Sequence, residues 1–76
     1  MVTSMIDNEQ ERLRIGRRIA EVRKGKGITQ VQLAERCGMH QGHIARIEQG
    51  KYSVGLDTLA NIATALQCRL DLQESE

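Results

Sequence analysis

The sequence predicts an all-α fold, a compact bundle of four helices in a single domain over 1–76 with its core in 7–66. Three observations carry this. Apolar residues recur at helical spacing in separated stretches, and glycine follows most of those stretches. The chain also has no Pro, Trp or Phe and one Tyr, so its core is aliphatic. With 76 residues, it buries only about 60% of its unfolded surface, a thin margin of stability.

Residues 1–6 carry little signal. Asp7-x-x-Gln10 reads as a capping box for a first helix running to about Lys24, with Ile15, Ile19 and Val22 on one stripe. Leu13 lies off that stripe and is expected to be exposed. Gly25-Lys26-Gly27 ends the helix.

Thr29 is a suitable N-cap for a second helix whose face is Leu33, Ala34 and Cys37, and Gly38 can adopt the positive φ that stops it. After a three-residue turn, Ile44 and Ile47 mark a third helix that Gly50 ends. Two short helices joined in this way cross steeply, and Ala34 sits where a larger side chain would hold them apart. The third helix buries its isoleucines and leaves Gln41, His43, Arg46 and Gln49 polar. Lys51–Gly55 is a loop. A fourth helix follows from about Leu56 to Leu66, with Leu56, Leu59, Ile62, Ala63 and Leu66 as its stripe and Asp57 suited to the helix dipole.

In the tail, Cys68, Leu70 and Leu72 alternate with polar residues, the period of a strand. A lone strand has no backbone partner, so the expectation is a short dimerisation strand paired with a second copy; a frayed tail or a short fifth helix are the alternatives.

Net charge is +1, but its distribution is uneven. Residues 12–51 hold ten Lys/Arg against Glu21, Glu35 and Glu48, a local +7, while 1–11 and 52–76 each carry −3. A basic middle containing the third helix suits a polyanion, although a solvated helix face has the same composition. Cys37 and Cys68 are expected to be small buried hydrophobes rather than a disulfide or a zinc site. No apolar run approaches the roughly 18 residues of a membrane span and no signal-peptide core is present, which points to the cytoplasm.

These residues resemble the helix-turn-helix of the XRE/Cro-type family of phage and bacterial repressors. The likeness lies in Gln30, Ala34, Gly38, Ile44 and Ile47 at the family's spacing, followed by Glu48-x-Gly50-Lys51. It extends to Ile19-x-x-x-Arg23 before and Leu59-x-x-Ile62-Ala63-x-x-Leu66 after, covering roughly Ile15 to Leu66. It implies a repressor-like bundle in which Arg23 pairs with Glu48 and also touches a DNA phosphate. Many members have Gly after the last leucine, where this chain has Gln67; small relatives, HipB-like antitoxins among them, end in a strand.

The helix at 41–49 is then the one that enters the major groove, which admits a helix and displays an unambiguous donor and acceptor code. His40, Gln41, Gly42, His43 and Arg46 are the expected base-facing residues, with Gln41 suited to adenine and Arg46 to guanine. Thr29, Gln30, Gln49, Lys51, Tyr52 and Ser53, with Arg23, are the expected phosphate contacts. Tyr52 is equally suited to closing the bottom of the core. His40-x-x-His43 is too sparse for a metal site, and neither a cofactor motif nor a catalytic constellation is present.

The leading expectation is a homodimeric repressor on a pseudo-palindromic operator in double-stranded DNA. An antitoxin that binds a toxin and represses its own operon is a second, and a restriction-modification controller protein, which this chain resembles in size, is a third.

Overall fold

The computed structural model describes residues 8–74. Among them, four helices follow in order: α1 (Glu9–Gly25), α2 (Gln30–Cys37), α3 (Gln41–Glu48) and α4 (Leu56–Ala65). α3 packs against α1 and α2, and α2 also packs against α4. The shared core is Ile19, Ile28, Leu33, Ala34, Ile44, Ile47, Ile62 and Leu66, with Ile15, Val22, Met39, Val54 and Leu59 packed around it. Leu33, Ile44 and Ile62, one from each of the last three helices, are the fully enclosed side chains. At about 1.5–3 kcal/mol for each large aliphatic side chain buried, this cluster holds the helices in place.

Local chemistry sets the start of α2. The Thr29 side chain accepts from the Gln32 backbone N–H at 3.0 Å, and the Gln32 side chain accepts from the Thr29 N–H at 2.9 Å, a reciprocal capping box. The box anticipated at Asp7 falls outside the described residues on its first member. α1 instead takes Asn8 as N-cap, with no side-chain bond.

All four helices end alike. Just past each helix end, one residue donates its N–H back to a carbonyl five positions earlier: Ile28 to Arg23, Met39 to Ala34, Lys51 to Arg46 and Cys68 to Ala63, at 2.7–3.0 Å. This is the Schellman closure, and it needs one residue at positive φ. Gly27, Gly38 and Gly50 supply it in three cases and Gln67, at φ 59°, in the fourth. Gln67 therefore ends α4 as a glycine would, but with a Cβ in a region that disfavours one.

Four expectations change. Leu13 is half-buried: it lies under Gly50, where an added Cβ would sit 2.8 Å from Leu13 Cδ2. Leu56 opens α4 before the helix reaches the core and is 72% exposed. The tail after Gln67 is neither strand nor helix through Glu74, because a period-two pattern forms no ladder without a neighbouring backbone. The cysteines, expected to be buried, differ from that: Cys68 is exposed, and Cys37 is half-buried, where burial raises its thiol pKa. No described helix is long and apolar enough to cross a membrane.

Candidate nucleic-acid interface

α3 is fixed from behind before its outer face matters. Gly16 of α1 lies against the last turn of α3, where a Cβ would be 2.5 Å from the Ile47 carbonyl oxygen and 2.6 Å from that of Glu48. About two turns along α1, Arg23 is buried. Its Nε donates to Glu48 Oε2 at 2.7 Å and its Nη2 to Glu48 Oε1 at 3.0 Å, while Nη1 donates to the Ile28 carbonyl at 2.9 Å. The Glu48 carboxylate holds the Arg23 guanidinium protonated still further above its ordinary range. Each guanidinium nitrogen donates one hydrogen bond inside the fold, which makes Arg23 the structural partner of Glu48; these three bonds use three of its five N–H donors.

The same carboxylate orients the surface. Gln30 Nε2 donates to Glu48 Oε1 at 2.9 Å, and Gln41 Nε2 donates to Gln30 Oε1 at 2.7 Å. An ionised carboxylate only accepts, so Gln30 must turn its NH2 toward Glu48 and its oxygen toward Gln41. Gln41 must in turn present its NH2 to Gln30. Its second N–H and its Oε1 remain free, the donor and acceptor pair that matches adenine N6 and N7. Sequence spacing did not reveal this relay, which placed Gln30 only at the DNA backbone.

His40, Gln41, Gly42 and Arg46 are exposed. Arg46 forms no ion pair among the described residues, and a Cβ at Gly42 would meet nothing within 4 Å. His43 is different: half-buried, with its ring edge-on to Tyr52 at 4.5 Å and its Nε2 buried without a partner. The structure thus sets His43 apart from its exposed neighbours His40, Gln41, Gly42 and Arg46, and it leaves Tyr52 44% exposed rather than enclosed in the core.

Flanking this face, the backbone N–H groups of Gln30 and Val31 at the start of α2 have no acceptor among the described residues. Thr29 stands beside them. At the other end, Gln49, Lys51, Tyr52 and Ser53 are exposed. No group of three His, Cys, Asp or Glu among the described residues is arranged to hold a metal.

The helix-turn-helix family model matches residues 19–73, which takes in the Arg23–Glu48 pair, both helices of the turn and α4. The chain belongs to the XRE-type helix-turn-helix family. Over 52 residues this helix-turn-helix chain is 42% identical to the immunity repressor protein of Bacillus phage phi105, covering 68% of this chain and 36% of the other. The chain thus spans about a third of that repressor's length. It is 46% identical over 48 residues to an uncharacterised HTH-type transcriptional regulator of Methanothermobacter thermautotrophicus, covering 63% and 70%. Among solved structures it resembles the restriction-modification controller protein C.AhdI of Aeromonas hydrophila (TM-score 0.79, 30% identity, 83% of this chain and 91% of that one). It also resembles the clp gene regulator ClgR of Corynebacterium glutamicum (TM-score 0.76, 29% identity, 78% and 76%). The family is one of DNA-binding regulators, normally without enzymatic activity.

Proposed function

We propose that this helix-turn-helix protein is a DNA-binding transcriptional regulator, a non-enzymatic repressor that acts in the cytoplasm and reads the major groove with α3. The observation that carries the reading is Gln41 held by Gln30 beside the exposed, unpaired Arg46. Pre-orientation of this kind lowers the ordering cost of binding. In this reading Gln41 and Arg46 discriminate bases, each by about 1–3 kcal/mol, with His40 alongside and Gly42 admitting close approach. The α2 start with Thr29 and Gln30, and the segment Gln49, Lys51, Tyr52 and Ser53, clamp phosphates on either side.

One copy of α3 reads only a few base pairs. A homodimer on a pseudo-palindrome, with half-sites about 34 Å apart, supplies the rest of the specificity. Selection of bound duplexes from a random DNA pool tests this: the expected product is an inverted repeat spaced by about one helical turn. Recovery of sequences indistinguishable from the input pool would contradict it.

The second reading is a restriction-modification controller, favoured by the fit to C.AhdI over 91% of that chain. A reporter placed behind the selected site separates the two, since expression falls with a repressor and rises with an activating controller.

A further inference from the structure

We infer that His43 is a positioning residue, whose ring fixes Tyr52 and with it the phosphate-gripping loop after α3, and that it reads no base. The inference rests on the function proposed above and assigns His43 a different role from its exposed neighbours on α3. Three observations lead to it. The His43 and Tyr52 rings meet edge to face, with centroids 4.5 Å apart and planes at 86°, an attractive aromatic geometry. His43 Nε2 is buried and has no hydrogen-bond partner among the described residues, so it is withdrawn from any base edge. A buried, unpaired ring nitrogen is unfavourable. What the side chain supplies to Tyr52 is the face and edge of a flat ring.

The third observation is how little else holds the loop. Gly50 turns the chain out of α3, and the Lys51 N–H closes onto the Arg46 carbonyl at 3.0 Å. The next backbone bond is the Gly55 carbonyl accepting from Leu59 N–H. Between them Tyr52, Ser53 and Val54 make no backbone hydrogen bond among the described residues. Val54 packs against the core, and Tyr52 leans on His43. Those two side-chain contacts set the loop's path. Tyr52 is nonetheless 44% exposed and lies between Lys51 and Ser53, so the fixed segment offers a phenol, an ammonium and a hydroxyl. All three donate to phosphodiester oxygens, which carry no sequence information. A loop already ordered in the free protein loses less entropy on binding.

The test uses the full chain and two duplexes, the selected site and an unrelated sequence of equal length. Dissociation constants are measured for wild type, His43→Phe, His43→Ala, Tyr52→Ala and the His43→Ala/Tyr52→Ala double variant, with thermal melts as a check on folding. His43→Phe, which keeps an aromatic edge and removes the orphaned nitrogen, is expected to retain both affinity and base preference. His43→Ala and Tyr52→Ala are each expected to weaken binding roughly 2- to 10-fold on both duplexes alike, and the double variant no further than the weaker single. Loss of preference at one base pair per half-site in His43→Phe would overturn the inference, as would fully additive losses in the double variant. A wild type that prefers no sequence would overturn the regulatory reading itself, an outcome visible before any variant is compared.

Discussion

Gly16 and Ile47 bring the backbones of α1 and α3 into direct contact: a Cβ on Gly16 would stand 2.5 Å from the Ile47 carbonyl oxygen. The atoms it would meet are main chain, so no flexible side chain can yield. In an open helix interior Gly→Ala gains about 1 kcal/mol. Here Gly16→Ala is expected to reverse that sign and destabilise by about 1–3 kcal/mol, because α3 must move away from α1. Denaturant unfolding of the two proteins measures it; an unchanged or raised midpoint would refute the close approach.

Glu48 joins the interior to the surface. It accepts from buried Arg23 on one side and from Gln30 on the other. Glu48→Ala leaves a buried guanidinium without its counter-charge and is expected to lose about 3–5 kcal/mol of stability. Glu48→Gln keeps the shape but can present an NH2 where the relay requires an acceptor. It is therefore expected to relax the preference attributed to Gln41 in a competition assay, in addition to weakening the fold.

Gln67→Gly tests the closure of α4. At φ 59° glutamine pays for its Cβ, while its side chain gains only a 3.4 Å bond from Lys26 Nζ. The substitution is expected to stabilise by about 0.5–1 kcal/mol and to raise Tm by a few degrees, roughly 4–8 °C per kcal/mol in a domain of this size. A lower Tm would mean that the tail's contacts depend on the glutamine.

Gly42→Ala separates folding from recognition. A Cβ there meets nothing within the protein, so helix propensity alone predicts a gain of about 1 kcal/mol in stability. If α3 lies against base pairs at this point, the added methyl faces DNA and affinity falls. The expected pair of results, from a melt and a titration, is higher Tm with weaker binding; equal affinity would show that Gly42 is merely tolerated.

The helices were legible because their signals are local. Ile15, Ile19 and Val22, Thr29, Gly38, Ile44 and Ile47 each act through the few residues around them, and the family likeness pointed in addition to Arg23 and Glu48. What was missed depends on contacts distant in sequence. Leu13 was expected to be exposed because the stripe was drawn for one neighbour, whereas the N-terminal half of α1 also meets the end of α3 at Gly50. Gly16 has the composition of any helix interior until Ile47 is placed beside it. The tail's alternation is three apolar positions long and requires a partner that a single chain lacks. At the candidate site, exposure of Gln41 and Arg46 followed from periodicity. The Gln30 link and the turning of His43 onto Tyr52 did not, since both depend on where side chains of separate segments meet.

The most direct test of the account is the base preference of Arg46→Ala, measured by selection from a random DNA pool beside wild type and Lys51→Ala. Arg46 is exposed and unpaired, so its removal should leave the fold intact. The account predicts that Arg46→Ala loses discrimination at one position in each half-site, by about 1–3 kcal/mol, whereas Lys51→Ala binds all sequences more weakly with a shallower salt dependence. Selected sites identical for wild type and Arg46→Ala, at equal affinity, would contradict the claim that the outer face of α3 reads DNA.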